Sequence, residues 1–323
     1  MKIKLLIIVL FLFNCGMGLA QHASKAQHKP VKFKKLPKQN GAVRAAYMMD
    51  LDNFESYFSY IPKGSYRMND GKMVTCNAFY MMRVEVPNVF YRLFINDLKL
   101  EGKTEDVKIA LPDTNAWAAW NEPFAEYYFS HPAFNMYPVL QVQRAGVILF
   151  CNWLSEKVKT LNLKAWKDKK VQFRLPTEAE WMLAATGGDT NAVYAWAGPY
   201  LRTGRKGFEG DYQANFYNIS ESRITRDANG DLVVDKINYT VMDLLDIQGS
   251  DWADITAPVA SYWPNNYGLY NMCGNAREMV EEEGFSKGGG WIDPGGDLLI
   301  DARNTVQKPG CPAEGFRIIA VVE

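Results

Sequence analysis

Histidine is almost missing from this chain. Its 323 residues hold only His22, His28 and His131, too few for the two- or three-imidazole sites typical of catalytic zinc and non-haem iron. Net charge is missing as well: 36 Lys and Arg balance 36 Asp and Glu, so nothing in the overall charge argues for nucleic acid as a partner. There is no internal repeat and no second linker, which leaves room for one large domain. Disorder of the whole chain is excluded by a 48% hydrophobic and 22% charged composition. What is abundant is aromatic: 17 Phe, 17 Tyr and 9 Trp.

Charge is distributed unevenly. Residues 1–20 read as an export signal, with Lys2 and Lys4, an apolar run from Leu5 to Phe13, and small residues at Gly18 and Ala20. The run is too short to remain in a bilayer as a permanent helix. Cys15 offers lipidation as a rival, but Phe13 and Asn14 are poor residues before a lipidated Cys, so cleavage after Ala20 is favoured. Residues 21–44 then carry seven basic residues, from Lys25 to Arg44, and no acid. With Pro30, Pro37 and no hydrophobic period, they read as a disordered basic tether. Residues 45–323 keep 27 basic against 36 acidic residues, a net of −9.

Local patterns place the elements. Gln143 to Val158 aligns Val147, Cys151 and Leu154 on one helical face with Ile148 and Trp153 beside it, and Phe90, Leu93, Phe94 and Leu98 mark a shorter helix. Thr177, three residues before Glu180 and just after Pro176, is a capping-box start for a helix through Trp181, Leu183 and Ala184 that Gly187-Gly188 ends. Arg223 to Ile237 reads as a hairpin turning at Asn229-Gly230; its Asp227, Asn229 and Asp231 lack the Gly and distal Glu of a calcium loop. The last third is loop-rich, so its backbone polar groups need side-chain or ionic partners.

Ordered blocks then carry a resemblance. They are Val84-Glu85-Val86 with Asn88, Tyr91 and Phe94; Tyr137-Pro138-Val139 through Ala145 to Cys151-Asn152-Trp153-Leu154; Arg174-Leu175-Pro176-Thr177-Glu178-Ala179-Glu180-Trp181; Pro258-Val259; Pro264 through Glu278; Lys287-Gly288-Gly289-Gly290-Trp291; Arg303; and Gly315-Phe316-Arg317. Over roughly residues 70–320 the chain resembles the formylglycine-generating enzyme (sulfatase-modifying factor) family. The resemblance implies an α+β fold, a variant of the C-type lectin-like fold, as a single compact domain with little regular structure over 45–323. Arg174, Glu180 and Trp181 are expected to be scaffold: a charge-assisted pair and a core anchor.

Catalytic members of that family use two cysteines, five residues apart, after the glycine-rich strand to hold copper. Those places fall at Asp293 and Leu298, and neither a carboxylate nor a leucine supplies the soft thiolate that Cu(I) needs. Cys151 and Cys273 read as buried small hydrophobes, while pairing among Cys76, Cys151, Cys273 and Cys311 stays open. No catalytic residue and no copper are therefore expected. Structural calcium is implied by the resemblance at two sets: Asn215 and Asp251 side chains with Phe216 and Ala253 carbonyls, and Asn271 and Glu278 side chains with Gly274 and Ala276 carbonyls. All-oxygen ligation suits that hard cation.

The run Tyr194 to Arg202 and the 219–250 insertion resemble a non-enzymatic branch, the gliding-motility and type IX secretion lipoproteins of Bacteroidota. The expectation is an exported, non-catalytic binding or assembly component of the cell envelope, in the periplasm or outer membrane. Its expected partners are other envelope proteins, not nucleic acid, with membrane association through the basic tether or a lipidated Cys15. The alternatives are an oxidase of formylglycine-generating type with relocated cysteines such as Cys273 and Cys311, and a lectin-like glycan-binding module.

Overall fold

The computed structural model describes residues 51–118, 123–161, 163–217, 222–226, 229, 232–236, 253, 255–305 and 312–323. The export signal, the tether, Cys15, Asp251 and Cys311 lie outside the described residues. The main sheet has the order β1-β4-β11-β5, built from β1 (Phe58–Ile61), β4 (Phe79–Met82), β5 (Val171–Arg174) and β11 (Ile319–Val322), all paired antiparallel. Because β4 pairs with both β1 and β11, the start and end of the domain are joined in one sheet. A second sheet pairs β8 (Arg277–Met279) parallel to β10 (Glu314–Phe316) and antiparallel to β9 (Ser286–Lys287). Two hairpins complete the strands: β2 (Gly64–Arg67) with β3 (Met73–Cys76), and β6 (Ser222–Arg226) with β7 (Leu232–Lys236). The second hairpin, with Asn229 in its turn, is the one read from the sequence.

The helices are α1 (Asn88–Leu100), α2 (Thr104–Ala110), α3 (Phe124–Tyr127), α4 (Arg144–Lys157) and α5 (Glu178–Ala185). This mixture, with long ordered loops between, is the α+β architecture that the resemblance implied. None of the described helices is long and apolar enough to cross a membrane. On α1, Phe90, Leu93, Phe94 and Leu98 are buried as expected, together with Tyr91. On α4 the buried stripe is Val147, Phe150, Cys151, Leu154. Ile148 lies about 100° round the helix from Val147 and stays 52% exposed. Phe90, Tyr91, Phe94 and Phe150 meet edge-on or tilted at 5.1–5.5 Å between ring centres, the offset geometry that ring quadrupoles favour. Phe54, Trp166, Phe173 and Phe316 extend the same core.

Helix α5 is unlike a surface helix: all eight residues, Glu178 and Glu180 included, are buried. Its start is a full capping box, with Glu180 N donating to Thr177 Oγ1 (3.2 Å) and Thr177 N donating to Glu180 Oε2 (2.8 Å). Arg174 closes on Glu180 as a fork, both contacts 2.7 Å. Burial alone would raise Glu180's pKa, but the bonds from Arg174 and Thr177 outweigh it and hold it below the ordinary carboxylate value. Glu178 behaves likewise, because burial is overcome by Arg303 and Lys287. Lys287 has no exposed side-chain surface and rests 3.4 Å from Glu178, over the Trp181 ring. Two buried carboxylates are thus held on one helix by three cations, Arg174, Lys287 and Arg303. Gly187, at φ 60, ends the helix as expected.

Two substitutions separate cap from core. Thr177→Ala should cost about 1 kcal/mol in urea denaturation, the usual loss of an N-cap. Arg317→Met, which strands the buried Glu278 carboxylate described below, should cost about 3–5 kcal/mol.

Candidate functional site

The stretch from Asn271 to Glu278 holds one of the two residue sets singled out in the sequence. Asn271 and Asn275 adopt left-handed backbone, φ 50 and φ 69, a region Asn enters more readily than most residues. Gly274 is required by contact: a Cβ there would sit 2.5 Å from the Asn215 carbonyl oxygen. Asn275 N donates to that same carbonyl at 2.7 Å, and Asn215 Nδ2 donates to Asn275 Oδ1 at 3.3 Å. Asn215, of the first expected calcium set, therefore adjoins the loop that carries the second, through Asn275. Phe216 is buried and Ala253 is half-buried.

Glu278, 1% exposed, ends in this cluster. Its carboxylate accepts from Arg317 Nη2 at 2.7 Å, from Arg317 Nε at 3.0 and 3.1 Å, and from Trp181 Nε1 at 2.7 Å. Both oxygens are engaged, so Glu278 is a structural anion in this arrangement rather than a free ligand. A residue given no role from sequence, Glu85, lies beside it, fully buried. Its oxygens accept from Asn275 Nδ2 (2.8 Å) and Asn271 Nδ2 (3.1 Å). Burial pushes the Glu85 pKa up to about 8; Arg317 opposes this, while the Glu278 charge adds to it. With its pKa that high, Glu85 is mostly protonated at neutral pH, and a hard cation among these oxygen donors would favour its carboxylate form. Among the described residues, no three His, Cys, Asp or Glu side chains converge as a ready metal site.

The positions expected for thiols have other duties. Asp293 forms an ion pair with Arg277, with Nε donating at 2.6 Å and Nη2 closing the fork. Asp293 Oδ2 also accepts from Gly290 N at 2.7 Å, which fixes the turn after the glycine run. Leu298 is fully buried in the core with Trp181 and Met272. It packs against bare Gly289, where a Cβ would lie 2.8 Å from Leu298 Cδ1. Cys76, Cys151 and Cys273 are buried free thiols, in line with the hydrophobic role read for Cys151 and Cys273. Burial raises their pKa values, to about 11 for Cys76 and about 12 for Cys151 and Cys273. Such thiols hold almost no thiolate at neutral pH, and thiolate is the reactive form.

The aromatic run starts at Tyr194, buried in the core, and reaches the surface at Tyr200. Tyr194 and Trp196 stack, 4.8 Å between centres and 8° between planes. Arg202 lies over Tyr212 at 3.8 Å and Arg205 over Trp263 at 5.2 Å. Tyr200 is 75% exposed. Tyr, Trp and Arg are the residue types that dominate binding energy at protein interfaces.

Glu85 supplies a pH prediction. Its folded-state pKa lies above the ordinary 4.5 at about 8, so its contribution is full below about pH 4.5 and is lost as pH rises toward 8. In calcium-free buffer, wild type should lose thermal stability relative to Glu85→Gln between about pH 5 and pH 8. Parallel melting curves for the two proteins across that range would contradict the assignment.

Comparison with known proteins follows the same blocks. The family model described as "Sulfatase-modifying factor enzyme 1-like domain" matches residues 54–321. The formylglycine-generating enzyme of Mus musculus is 27% identical over 233 residues, 65% of this chain and 50% of that protein. The chain therefore spans about half the length of the curated relatives it matches. The chaperone protein LppX of Paenibacillus barcinonensis is 27% identical over 160 residues, covering 46% of this chain and 49% of that protein. Among solved structures, Treponema denticola variable protein 1 aligns with TM-score 0.48 at 18% identity, covering 81% of this chain and 94% of that one.

Proposed function

We propose, from the premise that this chain belongs to the sulfatase-modifying factor enzyme 1-like domain family, that it uses the fold as a non-catalytic binding or assembly module of the bacterial cell envelope, in gliding-motility or type IX secretion machinery. One observation carries the reading: Asp293 and Leu298 stand at the thiol positions and are built into an ion pair and the core. The buried, protonated thiols elsewhere support it. The Tyr200, Arg202, Trp196 and Trp263 face is the surface offered to a protein partner, and a relative named as a chaperone protein agrees with protein binding within the family.

The oxidase reading keeps one specific support, that the mouse relative is named formylglycine-generating enzyme. The described thiols oppose it: Cys273 is buried, its Sγ accepting from Ala195 N at 3.3 Å. A glycan-binding role rests on fold analogy alone. Two measurements separate the readings. Protein loaded with Cu(I) should leave a sulfatase-type Cys peptide unconverted by mass spectrometry; an aldehyde product contradicts the proposal. Affinity isolation from the native envelope should recover a protein partner that is lost with Tyr200→Ala/Arg202→Ala; recovery of glycan alone favours the lectin reading.

Structural calcium belongs to the same proposal. Asn271 with the Gly274 and Ala276 carbonyls, and Asn215 and Asp251 with those of Phe216 and Ala253, are the groups that would hold it; Glu278, whose oxygens are taken by Arg317 and Trp181, would add charge rather than a ligand oxygen. The ion would favour the ionised form of Glu85. Calcium at a hundred times its Kd should add about 2.7 kcal/mol of stability, reversed by chelator and lost in Asn271→Ala. A melting temperature indifferent to calcium would remove the ion from the account.

A further inference from the structure

The domain is acidic, yet one short segment runs the other way. From residue 157 to 170 it carries Lys157, Lys159, Lys164, Lys167, Lys169 and Lys170 against the single acid Asp168. This is the connection from α4 to β5, and it wraps an open pocket of about 600 Å³, within the range of small-ligand sites. One wall is apolar, with Val158, Leu161, Leu163 and Val171. The other is a lysine rim of Lys159, Lys167, Lys169 and Lys170 around Asp168.

Ion pairs leave part of that rim unspent. Lys159 meets Glu156 at 2.6 Å and Lys170 meets Glu323 at 3.5 Å, both exposed pairs, which are worth little. Lys167 and Lys169 have no carboxylate within ion-pair distance among the described residues. Trp166 stands in the wall of the pocket, 3% exposed, and its buried indole N–H has no acceptor among the described residues. Its resonance is a reporter for a ligand that fills the space beside it.

The pocket is held in shape by its surroundings. Trp166 packs on Phe54, Phe58, Tyr80 and Phe173. Lys170 and Glu323 exchange backbone hydrogen bonds, Lys169 N donates to Trp166 O, and Ala165 N donates to Glu55. From these observations we infer that the segment is a binding site for an anionic amphiphile, with a phosphate among the lysines and its apolar body against the leucine-valine wall. Ammonium groups act as point charges, which suits phosphate; no guanidinium fork is present for a planar carboxylate. The inference is independent of the proposed function.

The probe is short-chain phosphatidic acid in monomeric form, titrated into the full chain labelled at its indole nitrogens, with Trp166→Phe assigning the resonance. The Trp166 N–H should shift, and binding should be roughly tenfold tighter than that of short-chain phosphatidylcholine or inorganic phosphate. Lys167→Gln/Lys169→Gln should weaken it by about the same factor without lowering the melting temperature. Vesicles doped with phosphatidic acid separate the sources: capture by vesicles together with monomer binding makes the ligand a membrane headgroup, and monomer binding alone makes it a free amphiphile. An unmoved indole resonance, equal binding of inorganic phosphate, an undiminished double variant, or vesicle capture without monomer binding each overturns the site.

Discussion

Arg317 holds this domain together from a position with no exposed side-chain surface. It follows β10 and precedes β11, so it sits at the junction of the two sheets. From there Nη1 donates to the Met82 carbonyl at the end of β4, Nη2 donates to the Tyr270 carbonyl, and the fork closes on Glu278 of β8. Glu278 in turn accepts from Trp181 on α5. One guanidinium thereby connects both sheets, the loop before Asn271 and the buried helix. The desolvation of such a charge is repaid only by good partners, and Arg317 finds them in the Glu278 carboxylate and the Met82 and Tyr270 carbonyls.

The same logic extends outward. Glu178, Glu180, Lys287, Arg174 and Arg303 let α5 bury all its faces, and Asp293 with Arg277 fixes the turn after the glycine run. In a domain with little regular structure, these pairs do the backbone-ordering work that ladders do elsewhere. Asp293 and Leu298, the places where the resemblance implied thiols, belong to this architecture: a carboxylate that orders a turn, and a leucine that fills the hollow over Gly289.

Much of this was legible in the chain, and what was hidden has a physical reason. The start of α5 was readable because a capping box is local: Thr177 and Glu180 stand three residues apart. The buried face of α4 and the hairpin turning at Asn229 were readable for the same reason. Ile148 shows the limit, since a residue one step off an apolar stripe looks as buried as its neighbours until the angular position is known. Glu85 was visible within a motif, but its role depends on Asn271 and Asn275, 186 and 190 residues away, and no spacing rule reports such a meeting. Asn275 links Asn215 to the loop of the second expected calcium set, although it belonged to neither set.

The central proposal is that this chain holds no copper through thiolates. X-ray absorption at the copper edge, recorded on the full chain after Cu(I) titration against a competing chelator, tests it most directly. The account predicts that the chelator keeps the copper and that no Cu–S shell appears on the protein. A stoichiometric copper ion held by two thiolates would contradict it.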